Sequence, residues 1–347
     1  HGKYIMGPEV VELEAKLKKY TSAKYVITCA SGTDALILSL MSYGIGPGDI
    51  VFCPTFTFPA TAEAIVILGA IPYFVDVEKD NFNMSVESLK KSINLVKKNN
   101  LNKPKAIIAV DLYGLPADYN NLNIIAKENN MILISDAAQS FGAEYYGNKV
   151  GNLAEATCIS FFPAKPLGCY GDGGAIFTND DKMAHNIRSI RVHGEGASKY
   201  DNIRLGINGR MDTLQAAILL EKLAIFPDEV IRRNKVAKYY TKNMPSQYRA
   251  PFIPDNYLSS WAQYSILLKT HQERERVMKV LKEQKIPVMI YYRIPLHLQQ
   301  VFNYLGYQKG DFPVSEETSE NILSIPMHPY LETSEQDQIL EALHAVT

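Results

Sequence analysis

Cysteine is scarce in this sequence of 347 residues. The chain has four cysteines, which are widely scattered and form no C-x-x-C pair. Scattered cysteines of this kind suit free thiols in a reducing cytosol better than a disulfide framework or a zinc site. The four positions are Cys29, Cys53, Cys158 and Cys169.

The chain also has little net charge and no long apolar run. Its formal net charge of -1 gives no basis for binding nucleic acid or an anionic membrane. No apolar segment approaches the ~20 residues that cross a bilayer, and the first residues do not resemble a secretory signal. We therefore expect a cytoplasmic protein with no nucleic-acid or membrane partner. The sequence begins with His1 instead of Met, and we expect further residues to precede it.

Motifs of several common enzyme classes are missing. The glycines at 44–49 lack the G-x-G-x-x-G spacing of dinucleotide-binding proteins, and they precede a predicted strand instead of following one. The G-x-S-x-G, H-E-x-x-H and Walker A patterns are also absent. These absences argue against a nicotinamide-dependent dehydrogenase and against the hydrolases and nucleotide-binding enzymes that carry those motifs.

The first half of the chain alternates short apolar runs with segments of helical periodicity. The predicted strands are 25–30, 49–53, 71–77, 106–112 and 131–135, and the predicted helices are 33–42, 60–68, 85–96 and 120–128. Such alternation is typical of an α/β fold with a mostly parallel sheet covered on both faces. Ligands of these sheets gather at the carboxyl ends of the strands, where Ser31, Phe58, Asp111 and Asp136 fall.

The pattern changes after residue 180. The predicted elements are helices at 211–223, 229–242, 272–284 and 335–345 and strands at 262–268 and 287–292. The first of these helices is expected to continue through Pro227, and Ser334 is expected to cap the last one. We therefore predict a large domain over residues 1–225 and a smaller α+β domain over residues 226–347.

One lysine stands between an apolar run and a turn rich in glycine, at residues 160–175. Most lysines are solvated surface charges, and this is the ordinary interpretation of Lys165. The glycines that follow it indicate a turn in which the backbone passes close to another group. A lysine that forms a Schiff base must be partly desolvated, so that its amine is uncharged at neutral pH. The context therefore favours a catalytic lysine.

A carboxylate ends the predicted strand that precedes this lysine segment. Asp136 is either a helix cap or an acid that lies against a pyridinium nitrogen and keeps it protonated. Gln139, three residues on, is either a capping or surface amide or a partner for the phenolic oxygen of the same ring. Lys165 and Asp136 together provide the minimum chemistry of a pyridoxal phosphate site.

Small polar residues follow the first predicted strand and open a helix. The amides of Gly32 and Thr33 at this helix N-terminus suit an anion such as phosphate, and ordinary capping is the alternative. Ser160 could add a hydroxyl to the same phosphate. Phe58 could stack on a ring face, although core packing is the default role of a phenylalanine.

Taken together, these segments resemble the DegT/DnrJ/EryC1/StrS family of sugar aminotransferases. This family has the fold type I architecture of aspartate aminotransferase, in which a smaller α+β domain follows the large one. The resemblance runs through nearly the whole chain and is therefore specific. The matching segments are 7–14, 29–36, 47–51, 54–61, 112–114, 136–140, 160–175, 206–217 and 325–329.

The resemblance implies pyridoxal 5′-phosphate as the cofactor and gives each matched residue a role. Lys165 is implied to form the Schiff base and to move protons, while Asp136 contacts the ring nitrogen and Gln139 the ring hydroxyl. Phe58 is implied to stack on the ring. The implied phosphate contacts are Gly32, Thr33, Ser160 and, from the neighbouring subunit, Asn208, with Arg210 close by. A homodimer with shared active sites is therefore expected.

Residues 161–179 are similar to those of enzymes that aminate carbon 3 of UDP-linked 2-acetamido-3-keto sugars, with L-glutamate as donor. The best known of these act on a uronic acid and have a His-Tyr-Pro run where this chain has residues 291–293. If that histidine reads the sugar carboxylate, its replacement favours a neutral 3-keto-N-acetylglucosamine nucleotide, whereas Arg293 as a new carboxylate partner favours the uronic acid. The implied substrate-binding residues are Arg210, Tyr291, Tyr292, Arg293 and His297.

Two further alternatives remain at this point. Within the family, a dTDP-linked 3-keto-6-deoxysugar is another possible acceptor. From a different class, a non-catalytic regulatory protein with the same fold is the rival, and the intact Lys165 argues against it. The products of the implied reaction would enter lipid A, O-antigen or another surface glycan.

Overall fold

The computed structural model describes residues 1–99, 103–198 and 200–346. Over these residues the helices are α1 (Pro8–Thr21), α2 (Gly32–Ser42), α3 (Ala60–Ile67), α4 (Val86–Lys98), α5 (Tyr119–Glu128), α6 (Asp181–Ile190), α7 (Thr213–Asn243), α8 (His271–Glu283), α9 (Pro313–Asn321) and α10 (Thr333–His344). Short 3₁₀ helices lie at Leu112–Gly114, Leu296–Leu298 and Gln300–Leu305. Within the described ranges, no helix combines the length and apolar character needed to span a membrane.

The strands of the described residues are β1 (Tyr25–Cys29), β2 (Asp49–Pro54), β3 (Ile71–Val75), β4 (Lys103–Val110), β5 (Ile132–Asp136), β6 (Glu144–Tyr145), β7 (Asn148–Lys149), β8 (Ala156–Ser160), β9 (Gly174–Thr178), β10 (Tyr257–Leu258), β11 (Tyr264–Leu267) and β12 (Ile322–Ile325). Seven of these strands form a central sheet in the order β1-β9-β8-β5-β4-β2-β3. In the central sheet β9 is antiparallel to β1 and β8, whereas the other neighbours are parallel. The predicted α/β fold with a mostly parallel sheet is confirmed.

Successive residues of the central strands pack on opposite faces of the sheet. On one face, Ile108 and Ile134 join a core with α2, α3 and α6. On the other face, Ile107 and Leu133 pack with α4 and α5, and Phe177 packs with α1 and the first half of α7. Both faces are buried because side chains alternate along a strand. The continuous apolar runs of the sequence are explained in this way.

The second half of the chain builds a further apolar core around a small sheet. β11 and β12 pair antiparallel, and α8, α10 and the second half of α7 pack with them. α7 is one helix of 31 residues that continues through Pro227, as predicted. Leu219 belongs to the core beneath the central sheet, whereas Val236 belongs to the second core. The proposed division between residues 225 and 226 therefore falls inside a continuous helix, and it stays a prediction.

The strand predicted at 287–292 is wrong. Among the described residues of this segment, Met289 alone pairs with a strand, through a single bridge to Ser324 of β12. The chain then leaves the small sheet, and the amide of Leu296 donates to the carbonyl of Thr55 at 2.8 Å. This bond attaches the segment to the loop that follows β2 of the central sheet.

The predicted cap of the last helix is also wrong. α10 begins at Thr333, with Glu332 as its N-cap. The Glu332 side chain accepts a backbone hydrogen bond, and the Glu335 side chain accepts from the Glu332 amide in return. This capping box satisfies two of the free amides at the helix start, so Ser334 is not needed as a cap.

Candidate active site

The candidate site lies at the carboxyl edge of the central sheet. Asp136 ends β5 and Ser160 ends β8, and these strands are parallel neighbours. Ser31 and Gly32 follow β1, which runs in the same direction as β8 because both strands are antiparallel to β9. The topology therefore brings residues from distant parts of the sequence to one edge, where ligands of such sheets bind.

The N-terminus of α2 lies against the end of β8. Ser31 caps the helix, and its hydroxyl accepts a hydrogen bond from the amide of Asp34 at 3.0 Å. A Cβ on Gly32 would lie only 2.7 Å from the Cβ of Ser160. Glycine is thus required for this close approach, and the first amides of a helix have no intrahelical partners. The arrangement fits a phosphate group.

Asp136 is a buried carboxylate whose two oxygens accept hydrogen bonds. The hydroxyl of Thr61 donates to Oδ2 at 2.7 Å, and the amide of Ala138 donates to Oδ1 at 3.3 Å. Burial raises the pKa of this carboxyl above its ordinary value, while these two donors and the charge of Lys165 act in the opposite direction. A cation beside Asp136 would favour its ionised form in the same way.

Lys165 lies in the turn that follows β8, where its amide donates to the carbonyl of Phe162 at 2.8 Å. A Cβ on Gly168 would lie 2.6 Å from that same carbonyl oxygen, so the turn closes only with glycine there. Burial lowers the pKa of the Lys165 ammonium, and the charge of Asp136 partly offsets this effect. A larger fraction of the amine is therefore uncharged and nucleophilic than in an exposed lysine.

Gln139 is buried and its amide group has a defined orientation. The amide of Tyr113 donates to Oε1 at 2.6 Å, and Nε2 donates to the hydroxyl of Tyr292 at 3.1 Å. Because a backbone N–H can only donate, the carbonyl oxygen of Gln139 faces Tyr113 and the NH₂ group faces Tyr292. Gln139 can therefore offer a hydrogen-bond donor to an oxygen of a bound ring.

Aromatic side chains surround the approach to these polar groups. The Phe58 ring is 56% exposed, and its centroid lies 6.2 Å from that of Tyr292. The Tyr292 ring also contacts Phe56, at 6.0 Å between centroids. The Tyr113 hydroxyl donates to the carbonyl of Tyr291 and holds this segment in place. An exposed ring such as Phe58 is available to stack on a ligand, in contrast to a core phenylalanine.

Three of the predicted residues lie on or near the surface and do not join this group. Asn208 is exposed, and its Oδ1 accepts a hydrogen bond from Nε of Arg210 at 3.0 Å. Arg293 is exposed, and its guanidinium lies 3.9 Å from the sulfur of Met278 on α8. The side chains of Asn208 and Arg210 therefore contact each other, and that of Arg293 contacts α8.

His297 does not fit the predicted role of substrate contact. Its imidazole is buried, with Nδ1 2.8 Å from the Thr55 hydroxyl and Nε2 3.0 Å from Oε1 of Glu316. Burial lowers the pKa of His297 below 6.5, and Glu316 partly offsets this effect. Since both ring nitrogens have partners inside the protein, His297 anchors the 291–297 segment to the loop after β2. This is a correction to the prediction.

Sequence reasoning missed two residues that support the site. Thr61 holds the carboxylate of Asp136, and Ser260 donates to the backbone carbonyl of Gln139 at 2.8 Å. Thr61 follows Phe58 in the same motif, and its hydroxyl at the start of α3 could have identified it as a partner for a polar group of the site. Ser260 lies in the second half of the chain, and no local pattern marks it.

The described residues meet the requirements of pyridoxal phosphate. A buried carboxylate can face a pyridinium nitrogen, and a half-buried lysine of lowered pKa can attack an aldehyde. Gln139 offers an oriented donor for the ring oxygen. The glycine cradle at Gly32 and Ser160, which a Cβ would fill, suits a phosphate.

The sequence profile of the DegT/DnrJ/EryC1/StrS aminotransferase family matches residues 1–344. A relative from Pseudomonas aeruginosa, named UDP-2-acetamido-2-deoxy-3-oxo-D-glucuronate aminotransferase, is 46% identical over 99% of this chain and 92% of its own length. A relative from Acidithiobacillus ferrooxidans, named UDP-N-acetyl-3-dehydro-alpha-D-glucosamine 3-aminotransferase, is 37% identical over 94% of this chain and 86% of its own length.

Solved structures agree with these sequence matches. A DegT/DnrJ/EryC1/StrS aminotransferase from Brucella abortus superimposes with a TM-score of 0.96 at 48% identity, over 99% of this chain and 91% of that one. NtdA from Bacillus subtilis, solved with bound cofactor PMP, superimposes with a TM-score of 0.90 at 28% identity, over 99% of this chain and 78% of that one.

Proposed function

The chain belongs to the DegT/DnrJ/EryC1/StrS aminotransferase family, and from this premise we propose that it moves the amino group of L-glutamate to carbon 3 of a UDP-linked 2-acetamido-3-keto sugar. The resemblance found in the sequence is confirmed, as are fold type I, the transaminase activity and pyridoxal phosphate as cofactor. The substrate proposal rests on the names of the two relatives reported above, which both specify a 3-oxo amino sugar linked to UDP.

A neutral sugar, 3-keto-N-acetylglucosamine, is the acceptor we propose first. The exposed guanidinium of Arg293 lies 3.9 Å from the sulfur of Met278, and this contact does not mark it as a partner for a sugar carboxylate. The histidine that uronate enzymes resembling this chain carry is replaced by Tyr291. The higher identity to the glucuronate enzyme favours the 3-keto uronic acid as the second candidate.

Pyridoxal phosphate, when bound, carries the amino group between the two substrates and withdraws electrons from the carbon that loses its proton. We propose that Lys165 transfers that proton in both half-reactions, since burial lowers the pKa of its amine and so favours the uncharged form that accepts a proton. Asp136 would stabilise the positive ring nitrogen, and Thr61 keeps its carboxylate oriented toward the site.

The remaining residues of the site would bind and orient. Gln139 would donate its NH₂ group to the ring oxygen, and Phe58 would cover one face of the ring and limit access of water. The amides at the start of α2 and the Ser160 hydroxyl would bind the phosphate. The proposed binding set is Gly32, Thr33, Phe58, Asp136, Gln139, Ser160 and Lys165, with Tyr291 and Tyr292 at the sugar.

A homodimer would complete the site by supplying Asn208 and Arg210 from a second subunit. Large apolar side chains are exposed around the Lys165 turn and the 203–214 segment, among them Phe162, Tyr170 and Leu205. The amide of Tyr170 donates to the Gln215 side chain at 2.9 Å, so the turn and the start of α7 form a continuous surface. Exposed apolar patches mark association surfaces, so these side chains support the proposed dimer.

We place this reaction in the cytoplasm, in the synthesis of amino sugars for lipid A, O-antigen or another surface glycan. A dTDP-linked 3-keto-6-deoxysugar remains a further candidate within the family. The rival of a non-catalytic regulatory protein is weaker, because the reported relatives are named transaminases and the catalytic lysine is present.

The proposed reaction can be tested by spectroscopy. Purified protein loaded with pyridoxal phosphate is mixed with L-glutamate, and loss of the visible cofactor band is followed with time. The neutral and the uronic amino-sugar nucleotide are then each added with 2-oxoglutarate. This assay runs the reaction in reverse, so that no unstable keto sugar has to be supplied. Glutamate-dependent loss of the band and a preference for the neutral sugar are expected. Inactivity with both sugars would contradict the substrate proposal, and a preference for the uronic sugar would select the second candidate.

A further inference from the structure

A second buried carboxylate lies beside Asp136, at the end of the neighbouring strand β4. Asp111 has no exposed surface. Its Oδ1 accepts from the Tyr119 hydroxyl at 2.6 Å and from the Ala117 amide at 2.9 Å. Its Oδ2 accepts from the Ser140 hydroxyl at 2.6 Å. Three donors thus converge on one side chain that has no role in the site described above.

Asp111 is bonded to both ends of the segment 136–140. At the first end, its amide donates to the carbonyl of Asp136 at 3.1 Å. At the second end, its carboxylate holds the Ser140 hydroxyl. Asp136 and Gln139, which would contact the ring nitrogen and the ring oxygen, lie within this five-residue segment. The position of Asp111 therefore determines where the segment can lie.

The residues that follow Asp111 add a further bond to the same segment. Two positions on, the amide of Tyr113 donates to Oε1 of Gln139 at 2.6 Å. This bond fixes the orientation of the Gln139 amide, so that its NH₂ group is the donor on the side of Tyr292. If Asp111 shifted, Tyr113 would shift with it, and Gln139 would lose the bond that orients it.

We propose that Asp111 is a positioning residue of the aminotransferase site, which acts by holding the 136–140 segment through Ser140 and the carbonyl of Asp136. The proposal rests on the roles proposed for Asp136 and Gln139. Asp111 would touch neither cofactor nor substrate. Its effect is on the alignment of two groups that do.

The charge of Asp111 contributes to this role. Burial raises the pKa of Asp111 to about 7, while the Ser140 and Tyr119 hydroxyls and the Ala117 amide lower it and the charge of Asp136 raises it. The titratable groups that face it are therefore Tyr119 and Asp136. All three neighbours of its carboxylate are donors, and hydrogen bonds to an ionised acceptor are stronger than those to a neutral one.

The decisive variant is Ser140→Ala, because it removes the bond to the segment and leaves Asp111 with its other two donors. The matched control is Ser315→Ala. Ser315 is also fully buried, and its hydroxyl donates at the same distance of 2.6 Å to a buried carboxylate, that of Asp76. Both changes delete one hydroxyl of equal burial, so a purely structural role predicts equal effects.

Three quantities are measured for each variant: thermal stability, the dissociation constant of pyridoxal phosphate from the apoprotein, and the pH midpoint of the visible cofactor band. Both variants should lose stability to a similar extent. Ser140→Ala alone should weaken cofactor binding and slow the glutamate half-reaction about 10-fold or more, and should shift the pH midpoint of the band. Asp111→Asn should act in the same direction, since it keeps the shape of the side chain and removes its charge.

Unchanged cofactor affinity and an unchanged pH midpoint in Ser140→Ala and Asp111→Asn would overturn the proposal. This result is distinguishable from failure of the proposed function. In that case the wild-type protein would show no half-reaction with glutamate, while cofactor affinity and the pH midpoint would still report the alignment of the segment.

Discussion

At the scale of single residues, burial gives Lys165 and Asp136 their chemical properties. The same loss of hydration lowers the pKa of the lysine and raises that of the acid, and each charge partly offsets the effect on the other. The protonation of Lys165 and Asp136 should therefore change when a cation or an aldehyde binds, because such a ligand changes the charges beside the two groups. The hydroxyl of Thr61 keeps the acid in place in the absence of such a ligand.

Asp136→Asn should leave the protein folded and able to bind the cofactor, but it should slow proton transfer in the glutamate half-reaction. The amide keeps the bond to Thr61 and loses the negative charge that would stabilise the ring nitrogen. Loss of one such electrostatic group costs about 10²–10³ in rate. Stopped-flow absorbance measures this rate. The control is Asp76→Asn, another buried acid that follows a strand, and an equal effect in both variants would refute the role of Asp136.

His297 should make the protein less stable at acidic pH. Its pKa in the folded protein lies below 6.5, so below pH 6.5 the unfolded chain binds more protons than the folded one. The free energy of unfolding therefore falls as pH decreases from 6.5 toward the folded pKa. His297→Gln should flatten this dependence in denaturant titrations between about pH 7 and about pH 5. A parallel pH slope in wild type and His297→Gln would contradict this assignment.

Much of the candidate site could be predicted from the sequence, because Lys165 and Asp136 follow apolar strands and stand beside distinctive motifs. His297 could not be assigned in this way. Its partners, Thr55 and Glu316, are determined by contacts across the fold, and a histidine near a site looks the same in sequence whether it is buried or exposed. The hydrogen bond between Asp111 and Ser140 could not be predicted from the sequence for the same reason.

At the scale of elements, the parallel sheet was predictable and the small sheet was predictable in part, since β11 lies within the predicted strand 262–268 and β12 was not predicted. Apolar runs such as that of β4 are long enough to be buried on both faces, and this indicates a parallel sheet directly. The segment 287–292 has equally apolar residues, but the bond between Leu296 and Thr55 and that between Tyr113 and Tyr291 attach the chain to the loops that follow β2 and β4 of the central sheet. Such long-range bonds decide the outcome for short segments.

Gly32→Ala should weaken cofactor binding by displacing the start of α2 from the end of β8. The new methyl group would lie 2.7 Å from the Cβ of Ser160, a backbone-bound atom that cannot rotate away. Overpacking of this kind costs 1–3 kcal/mol, so a roughly 10-fold or greater rise in the dissociation constant of pyridoxal phosphate is expected. Fluorescence titration of the apoprotein measures it.

Gly46→Ala is the matched control for this change. The nearest atom to a Cβ at position 46 is the carbonyl oxygen of Leu68, at 4.0 Å. This variant should bind the cofactor as the wild type does. Equal affinities of Gly32→Ala and wild type would show that the close approach of Gly32 and Ser160 is not part of the phosphate site.

At the scale of the whole molecule, the proposed homodimer would supply residues of two chains to each active site. Leu205 is 88% exposed, which is unusual for a leucine in an isolated globular protein, and it lies three residues from Asn208. Leu205→Asp should therefore dissociate the dimer and reduce turnover, as measured by sedimentation and by activity. Ile124→Asp, at an exposed position on α5, should leave the protein dimeric. A monomeric wild type would contradict the proposed assembly.

Shared sites can be tested by mixing two inactive variants. Lys165→Ala and Asn208→Ala chains are unfolded together and refolded as mixed dimers. Each mixed dimer would contain one complete site, so about a quarter of wild-type activity should return on random pairing. No recovery, with mixed dimers demonstrated by mass spectrometry, would mean that Asn208 acts within its own chain.

The central claim is that Lys165 holds pyridoxal phosphate as the catalytic lysine of an aminotransferase. The most direct measurement is reduction of the loaded protein with borohydride, followed by peptide mass spectrometry. Because Lys165 is half-buried and its pKa is lowered, the phosphopyridoxyl group should appear on Lys165 near neutral pH. Treatment with L-glutamate before reduction should abolish the label. A label on other lysines with Lys165 unmodified, or a label at Lys165 that glutamate does not remove, would contradict the account.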